Sequence, residues 1–256
     1  WLHFLLWGRL GYDPTLDDAR IVALVGLRFP HTNAARLFEA WQNASLIYPL
    51  VTGFHWADFD FQWYIEGCRS RPEPAQTASG FHDVNRFITQ GVHPGTDNMT
   101  IPRYVAAMTR GEPQSGTTPL QVADRIAGHA DAALAALIEL TRLTPSAQPP
   151  RTGEDDELQK TLGDIRAMAL LGKYYAAKIR GATELAHFRS TGGAAHRERA
   201  VQSLTDAARV WRSYTSQASS QYDNPVWTNR VGIVDWGELT FEVDKDIALA
   251  RAARAP

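Results

Sequence analysis

The chain has 256 residues, 44% of them hydrophobic and 21% charged, with a formal charge of -2. It is long enough for one large core or two smaller ones, and its charge offers no general attraction to nucleic acid or an anionic membrane. The single cysteine, Cys68, excludes an intramolecular disulfide and a cysteine-rich metal centre, and no apolar run approaches the ~20 residues that span a bilayer.

The opening WLHFLLWG lacks the basic start and small-residue cleavage site of a signal peptide. Its direct entry into apolar sequence points to a piece of a longer polypeptide. In WGRLGYDP, Gly8 and Gly11 suit tight backbone turns, and Pro14 suits a first helical turn after Asp13. Thr15 and Asp18 have the spacing of a capping box for the following helix, where Ile21, Leu24, Val25 and Phe29 recur at helical spacing before Pro30. A second helix is expected from about 33 to 50, with Ala35, Phe38, Trp41, Ala44, Ser45 and Tyr48 along one side. Joined by FPHTN, the two form a short antiparallel hairpin.

Positions 51–118 read as irregular, with short helices expected near 80–90 and over IPRYVAAMTRG. Long ordered loops in compact chains are uncommon and frequently functional. From Thr118, a suitable N-cap, the character changes. Three long amphipathic helices follow. The first carries Leu120, Ala123, Ala127 and Leu134, the second Leu158, Leu162, Ile165 and Ile179, and the third Leu204, Ala207 and Val210; STGG separates the last two. Short connections make them an antiparallel bundle. In the tail, Asp235 and Glu238 form a capping box for a final helix with Leu239, Val243 and Ile247 inward. The expected fold is therefore mostly α: an N-terminal helical hairpin and an aromatic-rich irregular region packed with an antiparallel bundle of long helices. The regions are 1–117, 118–220 and a tail, 221–256, folding back on the domain.

The most functional-looking stretch is 52–86, TGFHWADFDFQWYIEGCRSRPEPAQTASGFHDVNR. Trp56, Trp63 and Tyr64 offer broad apolar faces with polar edges, the combination that sugar binding needs, or else an aromatic seam between helices. Asp58, Asp60 and Glu66 could bind hydroxyls or handle protons, although a glycosidase pair needs a carboxyl separation that sequence spacing does not supply. His55, His82 and Asp83 suit an acid/base group or loop organisers; there is no HExxH, and no metal or cofactor is expected. Arg69, Arg71 and Arg86 could meet a substrate carboxylate or the neighbouring acids. Trp7, Trp41, Trp211, Trp227 and Trp236 are expected to be structural. Phosphate-binding glycine loops and concentrated basic stripes are absent from the sequence.

WGRLGYDPTL, followed by two amphipathic helices and AARLFEAWQNASLIYPLVTGFHW, resembles the helical C-terminal region of bacterial alpha-glucuronidases and related multidomain glycoside hydrolases, over about residues 1–90. The resemblance implies an accessory domain packed beside an upstream (β/α)₈ barrel. It gives Arg9, Tyr12 and Asp13 to architecture or an inter-domain contact, and His55, Trp56 and the adjacent acids to a loop near substrate. This chain itself lacks β/α alternation, so the catalytic acid and base would come from the barrel. The partners implied are a carbohydrate or uronic-acid substrate and the upstream catalytic domain, with neither nucleic acid nor a membrane-spanning segment. A secreted, periplasmic or envelope-associated location is expected, and a cytoplasmic one stays open. A noncatalytic interaction domain and an independent small-molecule hydrolase are the alternatives.

Overall fold

A computed structural model describes residues 1–56, 81–143, 153–228 and 232–256. The chain is mostly α. Its N-terminal helices are α1 (Leu2–Tyr12), α2 (Asp18–Arg28) and α3 (Ala34–Phe54), and two short helices follow, α4 (Val84–Thr89) and α5 (Ile101–Arg110). The long helices are α6 (Pro119–Leu143), α7 (Gly153–Thr191) and α8 (Ala194–Ser219). A small antiparallel hairpin, β1 (Val226–Thr228) and β2 (Gly232–Val234), precedes the last helix, α9 (Trp236–Ala252).

Several helix starts follow from side-chain chemistry. Asn33, Asp83 and Thr100 each accept a bond from a first-turn N–H of α3, α4 and α5. At α6, Thr118 Oγ1 accepts from Gln121 N (3.2 Å) while Gln121 Oε1 accepts from Thr118 N (2.9 Å), a reciprocal box. Asp235 caps α9 through Gly237 and Glu238 N–H groups. The expected Thr15–Asp18 box does not form: Asp17 caps α2, and Thr15 donates to Asp13 through both its backbone N–H and its hydroxyl. Gly8 and Gly11, expected at turns, lie inside α1. The turn falls later, where that Asp13–Thr15 link supplies a side-chain-closed bend.

The second helix of the hairpin runs past Pro49 to Phe54, and its buried face is Leu37, Phe38, Ala40, Ala44, Ile47, Val51 and Phe54. Only Phe38 and Ala44 of the six residues expected on one side belong to that buried set. Leu and Ile outcompete the Ser and Tyr positions for burial because they carry no polar atom to satisfy.

The long helix α7 is the spine of the molecule, packed against α3, α4, α5, α6 and α8, while α9 lies on α8. Small residues allow the close approach. Ala123, Ala130, Ala133 and Ala136 of α6 are fully buried, and a Cβ on Gly181 would meet Leu204 Cγ of α8 at 2.7 Å. Surface ion pairs then tie neighbours together, with Arg36 meeting both oxygens of Glu139 and Arg212 both of Asp244. Exposed pairs of this kind add only tenths of a kcal/mol to about 1 kcal/mol each, so the apolar seams hold the bundle.

One loop depends on a glycine. Gly116 has φ +116°, and a Cβ there would lie 2.2 Å from the Asp97 carbonyl oxygen. Next to it, Thr117 N donates to that same carbonyl (2.9 Å) and Met99 N donates to Thr117 O (2.8 Å). Gly116→Ala is expected to lower stability by about 2–4 kcal/mol, from backbone strain plus a clash with an atom that cannot swing away. A urea midpoint equal to that of the parent would contradict it.

The first helix departs from the rest. Of its residues only Leu2 is buried, while Phe4, Trp7 and Tyr12 are 81%, 75% and 93% exposed. Trp7, expected to be structural, is therefore a surface residue; Trp211 and Trp236 are buried as expected. Among the described residues no helix is long and apolar enough to cross a membrane.

Candidate functional site

Five of the residues expected at the site lie within the described structure: His55, Trp56, His82, Asp83 and Arg86. Asp58, Asp60, Trp63, Tyr64, Glu66 and Arg69 lie outside the described residues, as do Arg71 and Cys68. The described five cluster where the end of α3, the start of α4 and the middle of α7 converge.

His55 is the C-cap of α3 and His82 precedes the α4 cap, so chain geometry brings both to one point. Both are buried, and His55 Nε2 meets His82 Nδ1 at 2.8 Å. One of those nitrogens carries the shared proton and the other accepts it, which requires at least one neutral ring. The His55 ring stacks on Phe87 with centroids 4.0 Å apart, and among the described residues its Nδ1 has no hydrogen-bond partner. Burial first, then the charges of His82, Lys178 and Arg86, press His55 down to a pKa of about 2. Burial, Arg86 and Lys178 press His82 down to about 4, against a smaller upward pull from Asp83. At neutral pH the pair is therefore uncharged.

Beside the histidines sits a lysine from the middle of α7. Lys178 of α7 is fully buried. Its Nζ donates to the His82 carbonyl (2.6 Å) and to Tyr174 Oη (3.2 Å), and pairs with Asp246 Oδ2 of α9 (3.1 Å). It also lies over the Phe81 and Phe87 rings, 4.3 and 4.6 Å from their centroids. Asp246 spends its other oxygen on the Val84 N–H (2.7 Å). Burial pushes the Asp246 carboxyl up, and Lys178 and the Val84 N–H oppose that shift. One cation and one anion thus bolt α7, α9 and the 81–84 backbone together in the interior.

The other expected residues are arranged as supports. Asp83, offered as a partner for a histidine ring, instead caps α4 by accepting from Arg86 N (2.8 Å). The exposed Arg86 side chain meets Gln90 Oε1 (3.2 Å). Trp56 is held by its backbone, donating to Gly91 O (2.9 Å) and accepting from the Gln90 side chain, while its ring meets His93 edge-on at 4.2 Å. His55, His82 and Trp56 therefore fasten residues 55–56 to residues 82–91, while Asp83 and Arg86 brace the latter stretch from within. The chemistry available here is clamping: it fixes the two ends of the chain section that holds the other expected sugar-facing residues.

A second titratable group lies at the α7–α8 turn. Glu184 accepts from His196 Nδ1 (2.7 Å) and pairs with Arg199 Nε (3.1 Å), and the His187 and His196 rings stack at 4.8 Å. Burial raises the Glu184 pKa, but the bonds from Arg199 and His196 outweigh it and the net direction is down. Among the described residues no group of three or more His, Cys, Asp or Glu side chains is placed to hold a metal ion.

Among the described residues an open hollow lies elsewhere, between α1, α2 and α3. It has a volume of about 700 Å³, with Leu6, Leu10, Ile21, Phe38 and Trp41 among its walls and Asp18 and Gln42 at its polar edge. There Gln42 Nε2 donates to Asp18 Oδ2 at 3.1 Å. The indoles of Trp1 and Trp41 stand nearly perpendicular, 6.2 Å apart. Trp41, expected to be structural, is half-buried in this wall.

This architecture is a mostly helical assembly around one long spine with a clamp of buried polar residues. No protein-family model matches the chain, and no curated protein does. Among solved structures it is similar to a GH138 enzyme targeting pectin rhamnogalacturonan II, with a TM-score of 0.72 at 14% sequence identity. The likeness covers 96% of this chain and 36% of that one, so the shared fold is a segment of a larger carbohydrate-active enzyme. At that identity the likeness is one of fold.

Proposed function

We propose that the chain is an accessory helical domain of a carbohydrate-active glycoside hydrolase, standing beside a catalytic domain and shaping one side of its sugar cleft. The observation that carries this reading is the correspondence of nearly the whole chain with 36% of a GH138 enzyme. The described polar cluster supports it from the other side. His55, His82, Lys178 and Asp246 are buried and bonded to one another or to backbone, as framework groups are. The fold likeness is to a GH138 enzyme, so the proposal stays at glycoside hydrolase and does not extend to alpha-glucuronidase. A uronic-acid-containing glycan is the substrate class proposed for the whole protein, with an exported or envelope location.

The isolated 256-residue chain is expected to release no reducing ends from pectin-derived oligosaccharides, whereas the longer encoded polypeptide cleaves them. Turnover by the isolated chain that disappears in His82→Gln would instead establish an independent hydrolase.

A further inference from the structure

Among the described residues the outer face of α1 stays largely uncovered. Its eleven residues include one charge, Arg9, and its apolar side chains point both inward and outward. Leu2 is buried, while Phe4, Trp7 and Tyr12 stand in solvent. Apolar positions all round a helix mean that it is covered on all sides. At ~17 Å long, α1 is too short to cross a bilayer, and one arginine with a net charge of -2 gives little purchase on anionic lipid. Beside this face lies the hollow of about 700 Å³ walled by Leu6, Leu10 and Trp41, a socket for an apolar side chain from whatever covers the helix.

We infer that the α1 face and its hollow are the docking surface for another folded domain of the same polypeptide, one that presents an uncharged, apolar anchor. Size argues for a tethered partner. A helix of this length with a width of ~10–12 Å falls well short of the ~800 Å² per side that independent association needs. A covalently linked domain supplies its own high local concentration, so a small contact suffices. The fold also recurs as 36% of a larger enzyme chain, where most of the polypeptide lies outside it. The inference rests on the proposed reading of the chain as one domain among several, and adds the surface by which it is held.

The test uses the full encoded polypeptide with a photo-reactive p-benzoylphenylalanine at Phe4 or Trp7, and mass spectrometry of the cross-linked peptides. Links to residues outside this 256-residue chain, within one molecule, are the expected result. Links confined to the chain, links to a second copy, or a gene encoding no further folded domain would each overturn the inference. Phe4→Glu with Trp7→Glu is expected to speed proteolytic separation of the two domains by about tenfold or more, because two charges would have to be buried at the contact. Phe241→Glu, on exposed surface of α9, is the control and leaves that rate unchanged. Links to a neighbour with no glycosidase activity would uphold the surface and refute the functional reading. An active glycosidase without such links would do the reverse.

Discussion

Asp246→Ala is expected to cost the fold about 3–5 kcal/mol, the usual penalty for removing one member of a buried ion pair. The substitution removes the carboxylate that faces Lys178 Nζ at 3.1 Å and the acceptor for the Val84 N–H at 2.7 Å. Lys178 is fully buried, so water cannot replace the lost anion without opening the α7–α9 seam. Among the described residues, the His82 carbonyl and Tyr174 hydroxyl still accept from Nζ and the Phe81 and Phe87 faces still attract it, four groups without formal charge. Lys178→Met combined with Asp246→Leu is expected to recover more than half of the loss, because apolar pairs of similar volume replace buried ion pairs at little cost. Urea unfolding of the two single variants and the double one gives the coupling directly. A loss below ~1 kcal/mol for Asp246→Ala would mean that the pair is wet and that the clamp is not what closes the interior.

The second large effect is sensitivity to acid. His55 and His82 have folded pKa values of about 2 and about 4, both below the 6.5 of an ordinary imidazole. A depressed histidine binds its proton more readily in the unfolded chain. Its contribution is therefore intact above pH ~6.5, falls as pH drops below that value, and stops falling only below the folded pKa. Each such histidine gives a slope of about 1.4 kcal/mol per pH unit, so between neutrality and pH ~5 the pair removes about 4 kcal/mol. The surroundings reinforce the sign: Lys178 and Arg86 both repel a proton arriving on either ring, against a smaller pull from Asp83 on His82. Asp246 has a raised pKa and titrates in the opposite sense. Its window runs upward from its ordinary value of 3.8 to the raised folded value, so a falling pH relieves that buried carboxylate and offsets part of the histidine loss. His55→Phe, stacked on Phe87 as before, is expected to remove one proton's worth of slope between pH 6.5 and 5, whatever it does to the absolute stability. Equal slopes in parent and variant would show that the ring is not the acid-sensitive group.

Much of the helical architecture was legible because it is local. Thr118, Asp235 and the STGG break state helix ends through side chains within three residues of the bonds they make. The Leu and Ala stripes of α6, α7 and α8 state the bundle through a 3.6-residue period. The clamp was harder to read because its halves lie far apart, with Val84 and Asp246 separated by 162 positions. A signal was nevertheless present. Lys178 falls four residues from Tyr174 and from Ala182, on the buried stripe of α7, and Asp246 falls between Val243 and Ala250 on that of α9. A lone lysine and a lone aspartate each occupying a core register are a pair in waiting, because charges of either sign are rarely buried unpaired. The face of α3 was misjudged for a different reason. Expected to run to about 50, the helix continues past Pro49 to Phe54, since packing against α6 and α7 outweighs the missing bond at the proline. His55 and His82 were read as possible organisers or acid/base groups, and proximity in space, which spacing could not provide, brings their rings together.

The Lys178–Asp246 pair also sets an order of completion. A growing chain emerges from the ribosome with α7 ahead of α9, so Lys178 is made before Asp246. Until the last helix arrives, the 3.1 Å contact between the two and the bond from the Val84 N–H to Asp246 are both unmade. A product cut short before Asp246 would lack the bolt that joins its central helix to its final one.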